Sequence, residues 1–178
     1  TWPGRGAIFQ RIRDVVNDSA DLSVLLTEEE DPVSFAVSVG NPTMGEFAMH
    51  CFTLGFTGRK SGTDSRGLRI YSPGLSAGEK TLLPSPSGLA PILVGYEPSL
   101  DVFVLWDTPV HLAAGGFTQM ELLQVAEGPL YGATAKGVRE IPIPKSKTVD
   151  RHKIVVCRAS ALAEGLVRRQ SANIERLI

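Results

Sequence analysis

The chain has little from which to build a metal or redox centre: two cysteines and three histidines in 178 residues. Cys51 and Cys157 lie apart in apolar, strand-like runs, HCFTLGF and KIVVCRA, and no paired Cys or His spacing marks a zinc site. Both are expected to be small buried thiols in a reducing, cytoplasmic compartment, with no disulfide demanded. Long apolar runs are missing too. No stretch approaches the ~18 apolar residues that a membrane span needs, and no basic-then-apolar leader opens the chain, so no membrane partner is expected. Phosphate-loop, dinucleotide-loop, HExxH and CxxC patterns are absent. So is the GxSxG elbow of a hydrolase. The D/E-x-K triplet of metal-dependent nucleases fails as well: Glu121-Leu122-Leu123 lacks the lysine, and Asp150 to Lys153 has the wrong spacing. No catalytic residue, metal ion or cofactor is therefore expected within this chain.

The residues that are present suit one soluble domain: 43% hydrophobic and 21% charged, enough to bury a sizeable core at this length. Residues 1–178 are read as a single unit. The start at Thr1, without an initiator Met, is expected to mark a fragment of a larger protein with a separate domain. The net charge of −1 conceals an asymmetry. Residues 1–50 carry three basic and eight acidic groups, a balance of −5, and residues 51–178 carry fifteen and eleven, a balance of +4. Lys136 to Arg158 is the densest basic stretch, with seven Lys/Arg against Glu140 and Asp150. Such a stretch is either a solvated loop or a local basic face.

Periodicity supplies the elements. Ile8, Phe9, Ile12, Val15 and Val16 recur at helical spacing, so an amphipathic helix should end near Asn17-Asp18-Ser19, with Asp21 or Ser23 capping a short second turn. VSFAVSVG alternates as a half-buried strand, and FAMHCFTLGF, LRIYSPG, PILVGYEP, LDVFVLWD, QMELLQVA and HKIVVCRA are further strand candidates. TEEEDP and the Pro/Ser-rich 84–91 segment are loops. A closing helix should run from Ala159 to about Ile178. Short Gly/Pro/Ser-marked connections leave little room for crossover helices. The expected fold is α+β, with a mainly antiparallel, strongly bent sheet or open β-barrel of six to seven strands and a helix at each end.

Chemistry concentrates between Leu93 and Val125, where an apolar strand delivers Trp106, Asp107 and His111 to its carboxyl end, before a Gly-Gly-Phe turn and Gln119. Basic loops alternate with the short strands, and in a bent sheet they should gather along one edge and follow a phosphate backbone. The expected phosphate contacts are Arg59, Lys60, Arg66, Lys145, Lys147, Arg151 and Lys153. Trp106, Asp107, His111, Phe117 and Gln119 are the candidates for base recognition, by hydrogen bonding or stacking. Trp106 and Phe117 have a second reading as core aromatics, and Asp107 as the cap of the turn after its strand. His111 is expected to be exposed.

The order of these motifs resembles a region found beside nuclease domains in bacterial restriction endonucleases. The likeness rests on Arg69-Ile70, Gly95-Tyr96, Phe103 with Trp106-Asp107, His111, Gln124-Val125 and Val155-Val156, and spans roughly residues 47–162. The resemblance implies a double-stranded-DNA recognition (specificity) domain of a restriction or defence system, which in some cases reads modified bases. Cleavage would be left to a nuclease domain in the same or a partner chain. The acidic first third departs from that pattern. Two other readings stay open: a protein-interaction or regulatory domain using the acidic 27–31 and proline-rich 84–91 loops, and a small hydrolase built on His111 and Asp107.

Overall fold

Alternation of Val33, Phe35, Val37 and Val39 with Ser34, Ala36 and Ser38 fixes one apolar face on strand β2 (Val33–Val39). A computed structural model shows that face in the core, and it describes residues 4–28, 33–40, 43–57, 65–72, 74–83 and 89–178. Helix α1 (Arg5–Asp18) ends where the sequence places its stop and turns Ile8, Phe9, Ile12, Val15 and Val16 inward. The short second turn expected at Asp21–Ser23 is instead the start of strand β1 (Leu22–Glu28), which pairs with β2. Strand β1 takes in Thr27 and Glu28, so the acidic run is not loop throughout; residues 29–32 lie outside the described ones.

Strand β3 (Gly45–Thr53) continues the antiparallel hairpin. The chain then crosses the sheet through β4 (Gly55–Thr57), β5 (Ser65–Arg69) and β6 (Lys80–Thr81). It returns as β7 (Ala90–Glu97), which runs parallel to β3. Strand β8 (Val102–Leu105), helix α2 (Thr108–Ala113), β9 (Phe117–Thr118) and β10 (Leu122–Ala126) come after it. Helix α3 (Glu127–Lys136), β11 (Val138–Ile143) and β12 (His152–Arg158) are next. A 3-10 turn (Ala159–Ala161) then leads into α4 (Leu162–Leu177), the expected closing helix.

The architecture is α+β. The main sheet has seven strands in the order β1-β2-β3-β7-β8-β12-β11, so it is open, with β1 and β11 at its edges. No closed barrel forms among the described residues. The sheet is mixed but mainly antiparallel: five of its six pairings are antiparallel, and β3–β7 is parallel across a crossover that carries three short strands instead of a helix. Helices α1 and α4 pack on one face, over Phe35, Met49, Val94, Phe103, Leu105 and Val155. The other face is covered by the crossover strands, α2 and α3, over Leu93, Val104, Trp106, Ile154 and Val156. Helices α2 and α3 and strand β11 go beyond the expected elements: Gly128, Pro129 and Gly132 obscure the helical signal, and the basic residues around β11 give it the look of a loop.

Cys51 and Cys157 are buried and free, and burial raises both thiol pKa values, that of Cys157 to about 12. No described helix is long and apolar enough to cross a membrane.

Candidate functional site

Strand β8 is buried on both faces, and it carries Trp106, Asp107 and Thr108 into the interior at its carboxyl end. Trp106 is 2% exposed, packed among Leu93, Val104 and Phe117. The approach there is tight: a Cβ on Gly95 would meet Leu54 at 2.9 Å and the Trp106 ring at 3.0 Å. Asp107 begins α2, accepting the Val110 amide on Oδ1 at 3.1 Å, so its reading as a cap describes what it does. It is also the counter-ion of two guanidinium groups. Arg176 donates from Nε to Oδ2 at 2.8 Å and from Nη2 to Oδ1 at 3.3 Å. Arg169 Nη2 stands 3.6 Å from Oδ2.

Arg169 is fully buried, donating to the carbonyls of Leu105 and Lys153 and to Asn173 Oδ1. Burial lowers its pKa to about 10, partly opposed by Asp107, so it stays charged at neutral pH. The helical period explains why these arginines point inward. Leu162, Leu166, Arg169 and Arg176 fall on one stripe of α4. That spacing was the sequence signal for both, and composition alone hides it.

His111, expected on the surface, is buried instead. It stacks on Phe117 with ring centroids 4.7 Å apart and meets His152 edge-on at 5.6 Å. Burial, then the neighbouring His152, lowers its pKa to about 4, and its Nε2 has no hydrogen-bond partner among the described residues. His152 is a residue that the sequence reading missed, although it alternates with Ile154 and Val156 on β12 and so belongs to the inner face. Its Nδ1 lies 2.8 Å from the Asp150 carbonyl, an atom that only accepts, so Nδ1 carries the proton. Phe117 is fully enclosed, and Gln119 is buried with Oε1 accepting from the Ser72 amide at 3.0 Å. All five are thus buried rather than on the exposed rim expected of them: His111 stacks on Phe117, Trp106 lies in the same apolar cluster as Phe117, Asp107 turns to α2 and α4, and Gln119 holds Ser72.

The expected phosphate contacts divide. Arg66 is buried, bonded to Glu97 at 3.3 Å and Glu127 at 3.1 Å. Because Glu97 pairs with Val102 while Val94 pairs with Leu105, this ion pair lies at the opposite end of the β7–β8 pair from Asp107. Arg66 is excluded from the surface because its charge is already matched there. Arg59 and Lys60 lie outside the described residues. Lys145, Lys147, Arg151 and Lys153 do share one place, the turn joining β11 to β12 and the first residues beyond it. Lys145 is 3.3 Å from Asp150, and Lys153 bridges Glu140 and Glu175 at 3.4 and 3.1 Å. Arg151 is exposed and has no carboxylate partner among the described residues.

Between this turn and the end of α4 is an open pocket of about 440 Å³, walled by Pro142, Arg151, His152, Lys153, Glu175 and Arg176. Arg176 joins it to Asp107, and His152 joins it to His111. Among the described residues, no group of three or more His, Cys, Asp or Glu side chains gathers in a metal-binding arrangement. What the arrangement offers is charge-assisted hydrogen bonding to an anion. Comparison of the chain with family models, with curated proteins and with solved structures finds no match in any of the three.

Proposed function

We propose that this chain is a double-stranded-DNA recognition domain of a restriction or defence endonuclease, with strand cleavage assigned to a separate nuclease domain. The observation that carries the reading is the gathering of Lys145, Lys147, Arg151, Lys153 and Arg176 at the β11–β12 turn and the adjoining end of α4. Cations at one end of a rigid sheet are suited to following a phosphate backbone. The order of motifs, which resembles that of restriction specificity regions, supports the same reading. The enclosed residues, Trp106, Phe117 and Gln119, hold this end in shape rather than touch bases.

The test is a titration of duplex DNA at rising salt. Five phosphate contacts predict a log–log slope of about −4.5, which lowers affinity by between two and three decades from roughly 50 to 200 mM salt. Replacing Lys145, Lys147 and Arg151 by Gln together should flatten that slope by about three. A weak salt response, or no change in the triple variant, would overturn the reading.

A protein-interaction domain without nucleic-acid binding is the second reading. It draws on Tyr71, Met120 and Leu122, which expose apolar side chains where β5 meets β10. Co-purification with another chain and indifference to DNA would select it.

A further inference from the structure

We infer that the pocket between the β11–β12 turn and α4 is a discrete site for a single phosphoryl group. Its identification as part of a nucleic-acid strand rests on the function proposed for the chain; the site itself does not. The charge count is the first support. Arg151, Lys153 and Arg176 face the pocket against one carboxylate, Glu175. Beneath them Asp107 alone balances both Arg169 and Arg176. Adding Glu140, which pairs with Lys153, still leaves the group one positive charge in excess. An anion is the complement that this imbalance lacks.

Preorganisation is the second support. Asp107 holds Arg176 through Nε and Nη2, and the Asp107 side chain is 1% exposed, so the guanidinium is fixed from behind. A guanidinium has five N–H donors, and Arg176 spends only two on Asp107. The others, on Nη1 and the outer side of Nη2, have no partner among the described residues, and the side chain is 19% exposed. A planar fork locked on one side and open on the other matches the oxygens of a phosphoryl group. Arg151, with no carboxylate partner among the described residues, also lines the pocket, and Lys153 adds a point charge shared with Glu140 and Glu175. Pro142 and Ala172 give the pocket an apolar side, and its volume leaves room for a nucleoside beyond the phosphate.

The probes are inorganic phosphate, a nucleoside monophosphate and the same nucleoside without phosphate, each titrated at constant ionic strength. The His152 imidazole signals in the NMR spectrum give the readout. Phosphate and the monophosphate should give saturable shifts, and the bare nucleoside none. Arg151→Gln and Arg176→Gln should each weaken binding about tenfold, the loss of one charge-assisted contact. Arg13→Gln, which removes a charge from α1, should change nothing. Arg151 is exposed, so its variant tests the site even where Arg176→Gln disturbs folding. Absence of a saturable shift with phosphate, or the same shift with chloride, would overturn the site. A duplex arm separates the two claims. Phosphate binding that duplex DNA does not compete for sustains the pocket and removes the DNA reading. Salt-dependent duplex binding that weakens in the triple variant, with phosphate and the monophosphate silent, does the reverse.

Discussion

Arg176 closes on Asp107 through two hydrogen bonds, joining the last turn of α4 to the end of β8 across 69 positions of sequence. Both are held near Arg169, so one carboxylate neutralises two guanidiniums with little water present. Asp107→Asn keeps the cap of α2 but leaves both cations unmatched. We expect a loss of about 3 kcal/mol in urea unfolding. A change near zero would mean that the arginines find other partners.

Arg66 and Lys147 should separate stability from binding. Arg66→Met removes the cation between Glu97 and Glu127 and leaves Glu97 buried without it. The expected result is a loss of about 3 kcal/mol in unfolding free energy, with DNA affinity of the folded fraction unchanged. Lys147→Gln, on an exposed turn, should leave stability alone and reduce the salt slope by about one. Reversal of the two outcomes would place the DNA surface at the other end of the sheet.

Acid should weaken the fold before it weakens the carboxylates. Burial lowers the pKa values of His50 and His111 from 6.5 to about 4. Between those values the unfolded chain binds protons that the folded chain does not. Stability therefore falls as pH drops through this window, by about 1.4 kcal/mol per pH unit for each imidazole. Urea midpoints at successive pH values check the slope, and His111→Gln should remove about half of it. A pH-independent midpoint would show that these imidazoles protonate freely in the folded chain.

Gly116 has φ +104°, and a Cβ there would lie 2.4 Å from the Thr81 carbonyl oxygen. Gly116→Ala should cost about 2 kcal/mol or more, because neither the backbone nor β6 can yield cheaply. Thermal unfolding measures it directly, and an unshifted midpoint would contradict the close approach.

The strands most readable in the sequence are those with one face in a core. β2, β3, β7 and β12 alternate or run apolar, and α1 and the final helix show their period plainly. Strand β1 escapes because Asp21 and Ser23 suggest a helix cap, and pairing with β2 decides the matter instead. Helix α3 escapes because it owes its place to Leu130 and Ala133, two buried residues among weak helix formers. The site is legible as a list and illegible as an arrangement. Asp107, His111, Arg151 and Lys153 stand out in the sequence and lie near one end of the sheet. Yet burial of Trp106 and His111 depends on α2 and the crossover strands covering that face, which no local pattern announces. Arg66 shows the same gap: its partners are 31 and 61 residues away.

The seam between β3 and β7 divides the chain as well as the sheet. Seven residue pairs, from Phe47 with Ala90 to Thr53 with Tyr96, knit the segment before the crossover to the segment after it. A single proteolytic nick between those strands therefore yields two fragments that share a strand junction and an apolar interior. Held by that junction, the two fragments should stay associated after the cut and part only in denaturant.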